Sequence, residues 1–285
     1  MLRRPVDLTR KIKDIVQHSQ AMPDEAYAPI LHFRRTTADI WASLAYIERA
    51  VSQRNRYEAV VEKHLGRIYS MILVNLVETF ERFLKELAGE CIDETAEYIV
   101  DDRFDVFAIK GSVLASHFDT GGSLGRSLCE AATWLDCEET NRRFRKLLSE
   151  PFQQGGSFFE LFPKQPTDDL RRFETLNLIW QIRHTAVHNV GVITRSDAVK
   201  LRTWSKEPVE APRLMSPTRA DLIHLNRFLG EMATLCNRRV GERLAKLLDS
   251  IIVPTASHKT KADRIASLFR LPLQIGEEVG SVPPD

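Results

Sequence analysis

One short segment combines an arginine and two histidines at spacings that suit phosphate chemistry. The string QIRHTAVHNVG, residues 181–191, contains Arg183, His184 and His188. A guanidinium is permanently charged, and its planar fork matches the oxygens of a phosphate. An imidazole titrates near neutrality and is therefore suited to proton transfer. These residue types indicate anion binding combined with acid–base chemistry.

The surrounding pattern predicts a helix over Thr167–Asn189 that carries these side chains. Thr167 is predicted to be its N-cap, and Gly191 is predicted to mark its end. At ~100° per residue, Arg183 falls at the centre of the apolar face. Polar residues form a strip along one edge of that face, and they are Asn177, Gln181, His184 and His188.

The position of Arg183 has two interpretations. A guanidinium in an apolar arc is costly to desolvate without a partner. In the structural interpretation its stem packs while its head reaches solvent, or pairs with a carboxylate such as Glu78 or Glu81. In the functional interpretation the guanidinium faces a crevice and binds a phosphate. The residue types leave both open.

The same string resembles the signature of the HEPN superfamily. That signature places an arginine and a following polar residue late in a helix, with a histidine a few positions further on. Arg183, His184 and His188 match these three positions. Asn189 and Gly191 resemble the His-Asn-x-Gly ending often seen there. Outside residues 179–191 the likeness is limited to the order of long helices.

This resemblance implies a metal-independent endoribonuclease that acts as a homodimer, in a prokaryotic defence or toxin–antitoxin system. Arg183 would hold the scissile phosphate of an RNA substrate, and His188 would act as acid or base while the 2′-hydroxyl attacks. His184 and Asn189 would support the site. An antitoxin or regulatory protein is an implied partner, and no cofactor is expected. Inactive family members exist, so the alternative is a non-catalytic HEPN-like module that binds a partner protein or nucleotide.

Glu78 and Glu81 belong to the longest helical pattern, Tyr57–Val100. They are predicted supporting residues that orient Arg183 or His188 across a bundle, and the alternative, which the sequence favours, is ordinary solvated charge. The apolar seam of this pattern predicts a buried face. Its members are Tyr69, Leu73, Leu76, Phe80, Phe83 and Leu87. Met71 and Val74 lie off the seam and predict a second covered surface.

The remaining periodicity predicts an all-α fold, a helical bundle of HEPN type. Other predicted helices cover residues 8–20, 36–54, 124–135, 138–148, 218–250 and 261–271. A short irregular or hairpin insertion is predicted after the motif helix, at residues 192–217. We expect an N-terminal helical extension (1–56), a HEPN-like domain (57–250), and a short helix with a flexible tail (251–285).

The charge balance argues against broad nucleic-acid coating. The 285 residues contain 40 Lys and Arg against 39 Asp and Glu, a formal net charge of +1. Any RNA contact must therefore use a local patch. Two basic clusters, residues 142–146 and 238–239, either contact RNA or belong to balanced helical surfaces. A phenylalanine-rich loop at residues 158–162 either anchors to the core or stacks on bases.

Neither a metal site nor a membrane span is expected. His184 and His188 have a spacing that can bind a metal, but the sequence offers no convincing third ligand. Cys91, Cys129, Cys137 and Cys236 form no Cys-x-x-Cys pair, which predicts buried thiols in a reducing cytoplasm. The longest apolar stretch, residues 68–77, is about half the ~20 residues that a membrane span needs. No signal peptide is visible either, so a cytoplasmic protein is expected.

Overall fold

The computed structural model describes residues 28–54, 58–96, 98–99, 102–107, 123–130, 132–150 and 158–251. Within these ranges the protein has seven α-helices and one two-stranded ladder, so the all-α prediction is confirmed. The helices are α1 Pro29–Arg54, α2 Glu58–Thr95, α3 Leu124–Glu130, α4 Cys137–Leu147, α5 Thr167–His188, α6 Arg195–Ser205 and α7 Arg219–Ile251. The predicted helices at residues 8–20 and 261–271 and the tail lie outside the described residues.

Helix α2 is the central element of the bundle. It packs against α1, α3, α5 and α7. The seam is confirmed, because Leu73, Leu76, Phe80, Phe83 and Leu87 are buried and Tyr69 packs against the core. The prediction of a second covered surface is wrong at one of its two residues. Met71 is exposed, whereas Val74 packs against the core.

Helix α1 shares this core rather than lying apart from it. The ring of Phe33 packs against Phe80 and Phe83, with centroid distances of 6.1 and 5.7 Å. Such aromatic contacts bury large apolar areas. The helix begins at Pro29, seven residues before the predicted start at Thr36. Proline is well suited to a first helical position, which explains the earlier start.

Two glycines allow α2 and α3 to touch through their backbones. A Cβ atom added to Gly125 would lie 2.1 Å from the carbonyl oxygen of Gly89, so only glycine fits. Helix α3 ends at Glu130, five residues before the predicted end at Leu135. Residues 132–135 are not helical, and the side chain of Asp136 caps α4.

Helix α5 ends at His188, one residue before the predicted end, and its first turn differs from the prediction. Pro166 occupies the N-cap position and makes no side-chain cap, so the predicted Thr167 cap is wrong. The Pro166 carbonyl instead accepts from two backbone N–H groups of the first turn. At the other end, the N–H groups of Asn189 and Gly191 both donate to the Thr185 carbonyl. Gly191 has a φ of 79°, which confirms its predicted role in ending the helix.

The insertion after α5 contains the predicted strand pairing and an additional helix. β1 (Val192–Ile193) pairs antiparallel with β2 (Arg213–Leu214). Helix α6 lies between them and was not predicted. It begins with a capping box, in which Thr194 and Asp197 bond reciprocally to each other's backbone N–H.

The four cysteines are free and buried, as the sequence predicted. Burial raises the pKa of the Cys129 thiol to about 12, which makes this thiol unreactive near neutrality. None of the helices in the described ranges has the length and apolar character that crossing a bilayer requires.

Candidate functional site

A cleft of about 350 Å³ opens between the segment 133–136, helix α5 and helix α6. The polar strip predicted on α5 lies along it. From α5 the lining includes Asn177, Gln181, Arg183, His184 and His188, and from α6 it includes Lys200 and Trp204. Helix α5 packs against both α2 and α6. Its motif residues are therefore held between two other helices, and we call this space the motif cleft.

The contacts of Arg183 fit both the structural and the anion-binding interpretation of this residue. One terminal nitrogen, Nη2, lies 2.8 Å from Oε1 of Glu78 on α2. The Arg183 side chain is 18% exposed and that of Glu78 is 45% exposed. The Nε atom of Arg183 is buried and has no hydrogen-bond partner among the described residues. An ion pair with a partly exposed carboxylate contributes little stability, so an incoming anion can compete for this guanidinium.

The rings of His184 and His188 lie next to each other at the end of α5, tilted relative to one another. Their ring centroids lie 4.5 Å apart, with an interplanar angle of 42°. The His184 side chain is exposed, yet partial loss of its hydration, followed by the neighbouring His188 and Lys200, lowers its pKa below the usual 6.5. His184 is therefore predominantly neutral at pH 7. A neutral imidazole can accept a hydrogen bond or a proton.

Asn189 links the end of α5 to the start of α6. Its side-chain amide donates to Oδ2 of Asp197 at 2.7 Å, and Gln181 donates to Oδ1 at 3.3 Å. Asp197 is 3% exposed. Burial acts to raise the pKa of Asp197, but hydrogen bonds from Thr194 and Asn189 outweigh it and lower that pKa. Asn189 therefore acts on the motif cleft by holding two of its walls together.

The two glutamates predicted to support the site have different positions. Glu78 contacts Arg183 directly. Glu81 instead accepts from the backbone N–H of Trp134 at 3.1 Å and pairs with Lys85 at 3.2 Å. Trp134 lies between cleft-lining residues of the segment 133–136. Glu81 thus fixes a wall of the motif cleft without reaching the arginine or the histidines.

The chain matches no protein-family model, no curated protein and no solved structure. The resemblance to the HEPN superfamily therefore stays a prediction.

Sequence reasoning missed the contribution of α6. Asp197 anchors Asn189, and Lys200 and Trp204 line the motif cleft. One signal was present in the sequence, because Thr194-x-x-Asp197 has the spacing of a capping box and so predicts a helix start. No local pattern indicated that this helix would face the motif.

The first predicted basic cluster is largely occupied by contacts within the protein. Arg142 pairs with Glu139 at 2.7 Å, and Arg145 pairs with Glu160 at 2.5 Å. Arg143 is buried, with its guanidinium 4.8 Å from the centroid of the Trp134 ring. The arginines of this cluster therefore act mainly in stabilising the fold.

The second basic cluster and the phenylalanine-rich loop are each divided between two roles. Arg239 bonds to the Leu161 carbonyl and to Asp169, whereas its neighbour Arg238 is exposed. In the loop, Phe162 is buried against Trp180, and Phe158 is exposed. In both places one residue anchors the fold and another is exposed, and the exposed Phe158 ring contacts the guanidinium of Arg145.

Within the described ranges, no group of three or more His, Cys, Asp or Glu residues is placed to hold a metal ion.

Proposed function

We propose that this protein is a HEPN-type endoribonuclease that cleaves RNA by a metal-independent mechanism. The observation that supports the proposal is that Arg183, His184 and His188 line one cleft, with Lys200 on the facing helix. Cations can hold a phosphodiester and stabilise charge that develops on it. Imidazoles in the same cleft can move the protons that the cleavage requires.

In the proposed reaction, the RNA 2′-hydroxyl oxygen attacks the adjacent phosphorus. The imidazole of His188 takes the hydroxyl proton as the new O–P bond forms. The P–O bond to the 5′ oxygen breaks, and the imidazolium formed on His188 returns the proton to this leaving oxygen. The products are a cyclic phosphate and a 5′-hydroxyl. Arg183 and Lys200 would stabilise the negative charge on the non-bridging oxygens.

His184 has a positioning role in this scheme. Because its pKa is lowered, it stays neutral beside His188, so that a proton taken up by His188 has no imidazolium next to it. Two protonated imidazoles at this separation would repel each other. Asn189 would hold the end of α5 in place through Asp197.

We propose further that the active form is a homodimer in which two motif clefts meet. Apolar side chains are exposed around the C-terminal end of α5, and they are Val187, Val190, Val192 and Leu214. We call them the valine patch. A two-fold contact would place the same patch against itself, and would bring a second Arg183 and His188 towards the scissile phosphate.

An RNA-cleaving protein of this kind needs control. We propose a cytoplasmic role in prokaryotic defence or in a toxin–antitoxin pair, with an antitoxin or regulatory protein that keeps it inactive. Such a partner would act by covering the motif cleft or by separating the two subunits.

One observation favours the alternative, a non-catalytic HEPN-like module that binds a partner protein or nucleotide. Nη2 of Arg183 is already paired with Glu78 at 2.8 Å. If that pair is permanent, the guanidinium is a structural tie between α5 and α2. The alternative predicts that the protein co-purifies with a stoichiometric partner and leaves RNA intact.

The deciding experiment is RNA cleavage by the purified protein in EDTA. We expect cleavage that leaves cyclic phosphate ends, detected by mass spectrometry of the fragments. His188→Ala should lower the rate about 10²–10⁴-fold, as expected for loss of a general acid or base. Arg183→Ala should lower it about 10²–10³-fold through loss of charge stabilisation.

Matched control variants are available on exposed surface. Arg171→Ala removes an exposed arginine from the same helix, and His224→Ala removes an exposed histidine from α7. Both should keep the wild-type rate. Cleavage that requires a divalent metal, or a rate unaffected by Arg183→Ala and His188→Ala, would contradict the proposed mechanism.

A further inference from the structure

A second groove, of about 510 Å³, is lined by four arginines from three helices. Arg34 comes from α1, Arg172 from α5, and Arg227 and Arg238 from α7. We call it the arginine groove. It shares no lining residue with the motif cleft.

The charges of the arginine groove are unbalanced. Four guanidinium groups line it against one carboxylate, that of Glu231. Arg172 pairs with Asp169 and Arg227 pairs with Glu231, each on its own helix. Arg34 and Arg238 have no carboxylate partner among the described residues, so two guanidinium groups on different helices are available to an anion.

Arg34 carries an unmet hydrogen-bonding group. Its Nη1 atom is buried and has no partner among the described residues. Burial also lowers the pKa of this guanidinium, which is a sign that its charge is poorly solvated. A buried charged donor without a partner is costly, and a bound anion would remove that cost.

The shape of the groove leaves room for a ligand. Gly230 lies in the middle of α7 and lines the groove, and a Cβ atom added there would have no atom within 4 Å. The volume is within the range of about 300–1,000 Å³ typical of small-molecule sites. The wall also includes Phe33, Leu235 and Asn226, which supply apolar and amide surface beside the arginines.

We infer that the arginine groove binds a small molecule that carries two or more phosphate groups, such as a nucleoside diphosphate or triphosphate. The planar guanidinium of arginine binds phosphate oxygens in pairs, which matches Arg34 and Arg238 to two phosphates of one ligand. This inference does not depend on the proposed nuclease activity.

The test is titration calorimetry of the full-length protein with pyrophosphate, ATP and adenosine. Pyrophosphate and ATP should bind, and adenosine, which lacks phosphate, should not. Arg34→Gln and Arg238→Gln should each weaken binding about tenfold or more, because each removes a charged hydrogen-bond donor. Arg171→Gln removes an exposed arginine next to Arg172 and should leave the affinity unchanged.

A second pair of variants tests whether the ligand occupies the open part of the groove beside Gly230. Gly230→Glu places a carboxylate among the arginines and should abolish binding of both phosphate ligands. Gly230→Ala adds one methyl group to open space and should preserve it. Because Arg238 is exposed, Arg238→Gln decides the question if Arg34→Gln impairs folding by circular dichroism.

Arg183→Ala separates this inference from the proposed function, since it alters only the motif cleft. Pyrophosphate affinity that persists in Arg183→Ala supports the arginine groove, whether or not the protein cleaves RNA. Affinity lost in Arg183→Ala, or unchanged in both Arg34→Gln and Arg238→Gln, would overturn it. Arg238-dependent binding of single-stranded RNA without pyrophosphate binding would also overturn it, because the groove would then follow an RNA backbone.

Discussion

At the scale of single residues, the proposed chemistry depends on how protons are shared between His184 and His188. The rings lie 4.5 Å apart, and Lys200 contributes a third potential positive charge. Each charge disfavours protonation of its neighbours. A neutral His184 beside His188 allows His188 to take up a proton during the reaction without two adjacent imidazolium ions.

This arrangement predicts the titration of His184. Burial, His188 and Lys200 lower its pKa, in that order. His188→Asn should therefore raise the pKa of His184 towards 6.5 without restoring it fully, because burial remains. Lys200→Gln should act in the same direction. The measurement is an NMR titration of the His184 ring protons, with Lys206→Gln, a change at an exposed lysine just beyond α6, as the control.

The direction of the His184 pKa shift also determines how the free energy of unfolding depends on pH. Because the folded pKa of His184 is below the unfolded value of ~6.5, the unfolded chain binds a proton first as the pH falls. Folding stability should then decrease below about pH 6.5, and less so in His188→Asn. A His184 pKa that is unchanged in both variants would contradict the proposed coupling of the two rings.

At the scale of elements, the network around Asp197 holds α5 and α6 together. Asn189→Ala removes the 2.7 Å hydrogen bond to a buried carboxylate. We expect a loss of about 1.5–3 kcal/mol in the free energy of unfolding, the range for hydrogen bonds to charged groups. Urea denaturation of the variant measures it. Asn177→Ala, a change on the same helix that leaves Asp197 untouched, should cost less.

The pH dependence of stability distinguishes the hydrogen-bond network around Asp197 from apolar packing. The folded pKa of Asp197 is lowered, so its stabilising effect is present above the unfolded pKa of about 3.9 and is lost as the pH falls through the folded pKa. The difference between wild type and Asn189→Ala should therefore shrink under acid conditions. A difference that stays constant with pH would show that Asn189 stabilises the fold through another contact.

Elements with strong periodicity could be predicted from the sequence, and others could not. The seam of α2 repeats over many turns, so its buried face follows from helical geometry alone. The polar strip of α5 was predictable for the same reason. Helix α6 was not recognised, because its Val, Leu and Trp residues alternate with polar ones between strand residues and prolines. The contact of Asn189 with Asp197 depends on the packing of that unrecognised helix.

The hydrogen-bonding partners of individual side chains were harder to predict than the buried faces of helices. Both Glu78 and Glu81 lie on the side of α2 near the site, yet Glu78 pairs with Arg183 and Glu81 with the Trp134 backbone. The two positions differ by less than one turn, so the choice depends on where the segment 133–136 passes. That path follows from the early end of α3, and no local pattern in the sequence indicated it.

At the scale of the whole molecule, charge is concentrated rather than spread. The net charge is +1, yet the arginine groove has four guanidinium groups against one carboxylate. The motif cleft combines Arg183, two histidines and Lys200 with one lining carboxylate, Asp136, and Glu78 pairs with its arginine. Each region can bind an anion locally without a basic surface. Weak self-repulsion at this net charge also permits two copies to associate.

The proposed homodimer makes a prediction at Val190. This residue is 84% exposed and has a φ of 51°, a left-handed conformation that is strained for a β-branched side chain. Aspartate tolerates that conformation better, so Val190→Asp should fold at least as stably as the wild type. In a two-fold contact across the valine patch, however, the two carboxylates would lie close together. Like charges at an interface cost several kcal/mol, so we expect the dimer to weaken about a hundredfold or more.

Sedimentation equilibrium of the full-length protein measures this association, and the cleavage assay reports its consequence. Met71→Asp is the matched control, because it puts the same charge at an exposed apolar residue on α2, a helix that contributes no residue to the valine patch. We expect Val190→Asp to be monomeric and to cleave RNA slowly, since each motif cleft would then lack the second Arg183 and His188. Met71→Asp should remain dimeric and active. Full activity in a monomeric Val190→Asp would instead show that a single motif cleft performs the chemistry, with the valine patch serving association alone.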